Sequence, residues 1–237
     1  MKVEICSATF ESAIAAYQGG ANRIELCSEL STGGVSPSAG MIQEVRKNIP
    51  LEINVLLRPR SGDFILSSQE AEVVLRDIAF CAQSKVQGIV VGALTAEGKI
   101  NKEMSKEWLK EAHRRGLSAT YHRAIDRSAN IYDALEDILS LGYDRILTSG
   151  GCSTAYEGIG TIMKMVEISK NNIIIMPGSG VNKTNIREII QSTKVSEIHF
   201  SASASRPSPI KVFGGIATTE TLTNSDAQII RSTISAI

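Results

Sequence analysis

Eight short apolar runs in this chain each end in a charged, thiol or glycine-rich stretch: VEICS, RIELCS, LLRPRSGDF, VVGAL, YHRAID, LTSGG, MPGSG and HFSAS. A helix-like segment follows each one. Strands are predicted near 2–6, 23–27, 51–57, 88–92, 118–122, 145–149, 173–177 and 197–201. Helices are predicted near 9–18, 38–48, 68–84, 103–115, 131–141, 156–170, 183–192 and 223–235. Eight strand–helix units at a spacing near 30 residues predict an α/β chain closed into a (β/α)₈ barrel with a loaded carboxyl-terminal face, and a doubly wound open sheet is the rival. Local signals agree. Asn130 precedes an apolar stripe of Ile131, Leu135, Ile138 and Leu139, and Gly142 follows it as a stop. In the first helix, Ile14 and Tyr17 are placed together on one face, before the stop at Gly19 and Gly20.

At 237 residues the chain fits one barrel domain, 1–237. The segment 206–221, with Pro207, Pro209, Gly214 and Gly215, reads as an irregular loop or interface arm before the last helix. The 25 basic groups balance the 25 acidic ones. With no basic cluster, nucleic acid and anionic membrane surfaces are poor partners, and an ion or small metabolite is expected instead. No apolar run approaches the roughly 20 residues of a membrane span, and no leader precedes the first strand, so a cytoplasmic setting is expected. Four scattered cysteines without a CxxC pattern read as reduced thiols. Cys81 falls on an apolar helix stripe and reads as core; His113 reads as part of a solvated face.

Period-two alternation then selects the side chains that point into the barrel. It sends Glu4 and Cys6, Glu25 and Cys27, Asn54 and Arg58, Thr120 and His122, Thr148, and His199 and Ser201 inward. Helices cover the outside, so charged strand residues are driven toward the mouth. Buried charge needs a partner, and Glu4 or Glu25 paired with Arg58 or Arg60 would supply one. His122, beside Arg123 and Asp126, suits a general acid–base or ligand-binding role with a carboxylate orienting it. Glu4 and Glu25 could form a catalytic carboxylate pair. No lysine closes a strand, which argues against Schiff-base chemistry. Gly178, Ser179 and Gly180 after the seventh strand, and Ser201, Ala202 and Ser203 after the eighth, stand where barrels bind phosphate through backbone amides. Cys6 and Cys27, on neighbouring strands, could grip one soft ion such as Cu(I), or could be small buried hydrophobes.

The motifs RIELCSELSTGGVSPS, LLRPRSGDF, GALTAEGKI, YHRAID, LTSGG and MPGSGV, in this order, closely resemble the CutC family of copper homeostasis proteins. The resemblance runs from Val3 to about Ser203. It implies a TIM-type barrel, a cytoplasmic homodimer and Cu(I) at Cys6 and Cys27. Tyr121, Ile125, Ser61 and Ser179 depart from the family's usual residues. Two functional readings follow: Cu(I) binding and handling, or a metal-independent enzyme acting on a small, phosphorylated metabolite through Arg58, Arg60, His122, Asp126 and His199. A non-catalytic scaffold would leave the barrel mouth without a small ligand.

Overall fold

The structure is a computed structural model of the chain, described here for residues 1–209 and 221–237. Eight parallel strands form one sheet: β1 (Lys2–Ser7), β2 (Arg23–Leu26), β3 (Glu52–Leu56), β4 (Gly88–Val91), β5 (Ser118–Tyr121), β6 (Arg145–Thr148), β7 (Ile174–Pro177) and β8 (Glu197–Phe200). Hydrogen bonds run in the order β7-β6-β5-β4-β3-β2-β1-β8, and β7 packs beside β8 to bring the barrel round on itself. The outer layer holds α1 (Phe10–Gly19), α2 (Ala39–Asn48), α3 (Ser68–Gln83), α4 (Lys102–Arg114), α5 (Ile131–Leu141), α6 (Ile159–Ser169), α7 (Ile186–Thr193) and α8 (Ala227–Ile234).

The helices start where short polar side chains can take up free backbone N–H groups. Thr9 accepts from Ser12 N at α1, Ser67 and Glu70 close a reciprocal capping box at α3, and Asn130 accepts from Tyr132 N and Asp133 N at α5. Gly142, at φ 92°, ends α5 as its position in the sequence requires. The main core lies between sheet and helices, where Ile5, Ile24, Ile53, Ile89 and Ile146 meet buried helix residues such as Val74, Ile78, Trp108 and Leu135. Cys81 belongs to this core. Tyr17 does not share the buried face of α1: Ala13 and Ala16 take it, because alanines let the helix lie close to the sheet, and Tyr17 is exposed.

The expected arm near 206–221 is ordered at its two ends. β9 (Ser203–Pro207) and β10 (Thr221–Ser225) form an antiparallel ribbon, while residues 210–220 lie outside the described residues. The ribbon sits between β8 and α8, so no helix begins directly after the eighth strand.

The barrel interior is polar at its lower level. Glu4, Arg23, Arg145 and Glu197 are buried there and linked: Arg23 donates to both Glu4 and Glu197, and Arg145 Nε donates to Glu197 Oε2 at 2.7 Å. Thus the partner of Glu4 is Arg23, not Arg58 or Arg60. Asn54 Nδ2 adds a bond to Glu4 at 3.2 Å, and Thr120 Oγ1 accepts from Arg145 at 3.1 Å. On β6 the inward set is Arg145 and Leu147. Thr148 points the other way and donates to Asp126, one residue out of step with the sequence reading.

Removing one member of this network strands the others in a dry interior. Arg23→Met is therefore expected to destabilise the fold by about 3–5 kcal/mol, read from urea denaturation. Burial would raise the Glu4 pKa, but Arg23 and His199 hold it down to about 2. A depressed carboxylate contributes stability above its unfolded pKa, near 4.5, and that contribution should drain away as pH falls from there toward 2. Acid denaturation of wild type against Glu4→Gln measures it, with the variant expected to show the flatter acid limb.

Candidate functional site

Above the ionic layer the barrel opens into a cavity of about 420 Å³. Strand pairing explains how its thiol wall is assembled. β1 lies parallel to both β2 and β8, with Cys6 opposite Glu25 and Glu4 opposite His199. Cys27 follows directly after β2, its N–H bonded to Ser7 O at 3.0 Å. The Cys6 and Cys27 Sγ atoms are 3.7 Å apart, Cys6 Sγ is 3.4 Å from Glu25 Oε2, and His199 Nε2 is 3.7 Å from the same carboxylate oxygen. One ligand atom each from Cys6, Glu25 and His199 lies within 4.8 Å of the others. His199 Nδ1 contacts Glu4 Oε1 at 2.8 Å, which aims Nε2 at this group in the way an outer-shell carboxylate orients a metal-ligating imidazole.

Electrostatics follow from burial. The adjacent Cys27 thiol, burial and Glu25 together push Cys6 well above the ordinary thiol range. Burial raises Glu25, with His199 opposing and Glu4 adding to the rise. Burial would lower His199, but its bond to Glu4 and the charge of Glu25 raise it.

The other wall carries His122, Arg58 and Phe64. The 3₁₀ turn Arg123–Arg127 starts directly after His122, and Ala124 N donates to His122 Nδ1 at 3.1 Å. The neutral ring therefore carries its proton on Nε2, which has no hydrogen-bond partner. Burial, and then Arg58, lower the His122 pKa to about 3, so the ring stays neutral across the physiological range. Asp126 does not orient it. That carboxylate accepts instead from Thr148, from Ser149 N and Oγ, from Gly151 N and from Arg123 Nε, and so braces the turn against the end of β6. Arg60 is not in the cavity either: it pairs with Asp63 and Glu70, because Pro59 and Ser61–Gly62 turn the chain outward.

Of the expected phosphate loops, Ser179, Gly180, Ser201 and Ser203 line the cavity. Gly178 sits below them with its N–H given to Thr148 O, and Ala202 is not among the lining residues. Ser179 has φ 84°, a conformation glycine adopts more readily. Arg23, Arg145, Glu197 and Phe64 were missed by the sequence reading, although Arg23 and Glu197 share strand parity with inward residues already chosen on β2 and β8; the choice of Thr148 on β6 turned Arg145 outward.

The CutC family profile matches residues 1–204. The chain belongs to the CutC family. It is 42% identical over 217 residues to a CutC protein of Photobacterium profundum, spanning 92% of this chain and 88% of that one. It is also 42% identical over 209 residues to the human copper homeostasis protein cutC homolog, spanning 88% and 76%. The crystal structure of CutC from Streptococcus agalactiae superposes with a TM-score of 0.79 at 28% identity, covering 85% of this chain and 98% of that one. Phosphoribosyl anthranilate isomerase of Thermotoga maritima aligns over 100% of this chain and 98% of its own with a TM-score of 0.63, but at 13% identity it shares the barrel fold alone.

In this CutC-family chain, Gly92 leaves the space that His122 occupies. A Cβ there would stand 2.6 Å from both Cε1 and Nδ1 of the ring. Gly92→Ala should displace the imidazole, break its bond from Ala124 N and cost about 1–3 kcal/mol by overpacking. Denaturation gives the energy, and the His122 ring resonances report the displacement.

Proposed function

We propose that this chain binds and handles Cu(I) in the cytoplasm, with Cys6 and Cys27 as thiolate ligands and His199 Nε2 as the third. The observation that carries this reading is the 3.7 Å separation of the two sulfurs, buried and backed by an oriented imidazole. With metal–sulfur bonds of about 2.3 Å, that spacing corresponds to an S–metal–S angle of about 107°, bent enough to admit further ligands. A linear two-thiolate geometry would need the sulfurs farther apart. Thiolate and imidazole suit Cu(I), whereas a carboxylate oxygen is a poor match for a soft ion. Glu25 is better suited to accept the Cys6 proton, since the thiol already points at its Oε2.

The four cysteines are free, which suits a reducing compartment, and among the described residues no helix is long and apolar enough to cross a membrane. Family resemblance adds a homodimer to the proposal, testable by light scattering.

Anaerobic titration of reduced protein should show one Cu(I) bound per chain. Replacing both Cys6 and Cys27 with serine should abolish binding while the fold is kept, and His199→Gln should weaken it at least about tenfold. Binding undiminished in the double variant would remove the thiols from the site. Because thiols and a raised imidazole must lose protons before they ligate, affinity should increase with pH, about tenfold per unit for each proton released. Zn²⁺ competition under the same conditions distinguishes a soft-metal site from a general one.

A further inference from the structure

Arg58 is a buried cation without a carboxylate partner. Its residue is 5% exposed, and its terminal nitrogens reach only backbone carbonyls: Nη1 to Thr32 O and Gly34 O at 3.2 and 2.9 Å, Nη2 to Gly62 O at 2.7 Å. Among the described residues it forms no ion pair, and its Nε has no hydrogen-bond partner. Buried charges are ordinarily paired, because desolvation of an isolated one is expensive. The other unsatisfied donor of this wall is His122 Nε2. The two belong together. Phe64 packs against both, with its ring centre 4.8 Å from the Arg58 guanidinium carbon and 4.9 Å from the His122 ring centre. Arg58, Phe64 and His122 all line the 420 Å³ cavity, a volume far beyond what one metal ion needs and within the range of small-molecule sites.

We propose that this wall is a binding site for the oxyanion group of a small organic metabolite, held by the N–H of neutral His122 and by Arg58, with the rest of the molecule on the apolar surface of Leu56, Leu147 and Phe64. The site neighbours the thiols, since Arg58 bonds to Gly34 O beside Cys27 and Leu56 packs in one cluster with both cysteines, but it does not rest on the copper reading. Carbonyls are its direct partners and Asp63 acts on it only without ion-pair contact, so an anionic oxygen would supply a direct countercharge and an acceptor together. The imidazole stays a neutral donor, since burial and Arg58 hold its pKa near 3. Arg123, with a half-open guanidinium, lines the same cavity, as do Ser179 and Gly180.

The shared chemistry of carboxylates and phosphate esters is the same oxyanion, so the test carries an arm for each. Metal-free, reduced protein is titrated by calorimetry at low salt with inorganic phosphate, glycerol 3-phosphate and benzoate. At least one probe should bind, and the identity of that probe names the class. His122→Phe, which keeps a ring but removes the donor, should weaken binding about tenfold or more, the size expected of a hydrogen bond to a charged group. Arg58→Lys should weaken it as well, keeping the charge while losing the fork. Arg76→Ala on the outer face of α3 removes the same charge far from the cavity and should change nothing. Should a variant fail to fold, the His122 Nε2–H resonance of the wild-type protein gives the reading directly, by a downfield shift on saturation. No binding by any probe, equal loss in Arg76→Ala, full binding in His122→Phe, or a stationary His122 resonance would each overturn the proposal. Cu(I) titration is read separately, so loss of one site does not confound the other.

Discussion

The buried ionic network of Glu4, Arg23, Arg145 and Glu197 is the constraint on which the rest of the molecule depends. It ties β1, β2, β6 and β8 across the barrel interior with two carboxylates and two guanidiniums, so charge closes within the layer. Barrels are more often filled at this level by branched aliphatic side chains. Here the fit is directional, and each guanidinium accepts only one arrangement of neighbours. The network also reaches upward, because the same Glu4 carboxylate that receives Arg23 holds His199 Nδ1. Rigidity in the lower layer therefore becomes orientation of the His199 ring in the upper one.

Above that layer the cavity has two chemically distinct walls. On one side Cys6, Cys27, Glu25 and His199 form a soft, proton-exchanging group; on the other, Arg58 and His122 present dry donors beside an aromatic ring. If the first wall holds Cu(I) as proposed, its thiols must lose protons to do so. The second gains from an anion without any change of protonation. The copper proposal accounts for the first wall and leaves the second unexplained, since a copper ion alone does not call for a buried arginine without an ion pair.

Much of the fold was legible because its signals are local. Asn130 and Gly142 bound α5 where a polar cap and a left-handed stop require, and the turn signals separate all eight strands. Parity placed Glu4, Cys6, Glu25, Cys27, Arg58, His122 and His199 on the inner surface, and the structure buries each of them. It erred by one residue on β6, where a glycine-rich exit gives no alternation to anchor the phase, so Thr148 rather than Leu147 was turned inward. It erred on Tyr17 because helix periodicity ranks size and apolarity, while packing against the sheet at α1 favours small alanines.

Fold class, strand count and most of the inward-facing residues were thus determined by the sequence itself, through spacing and alternation that act over a few residues. Which of those residues meet was decided only by the tertiary structure. Glu4 lies 19 positions from Arg23 and 195 from His199, yet contacts both, because parallel register brings β2 and β8 to either side of β1. Likewise Asp126, four residues from His122, turns away to receive the end of β6, and Arg60, two residues from Arg58, swings out to Asp63 and Glu70. Nearness along the chain did not predict partnership there, since the direction of a side chain beyond the last strand residue depends on the loop that carries it and on the neighbours that satisfy its charge.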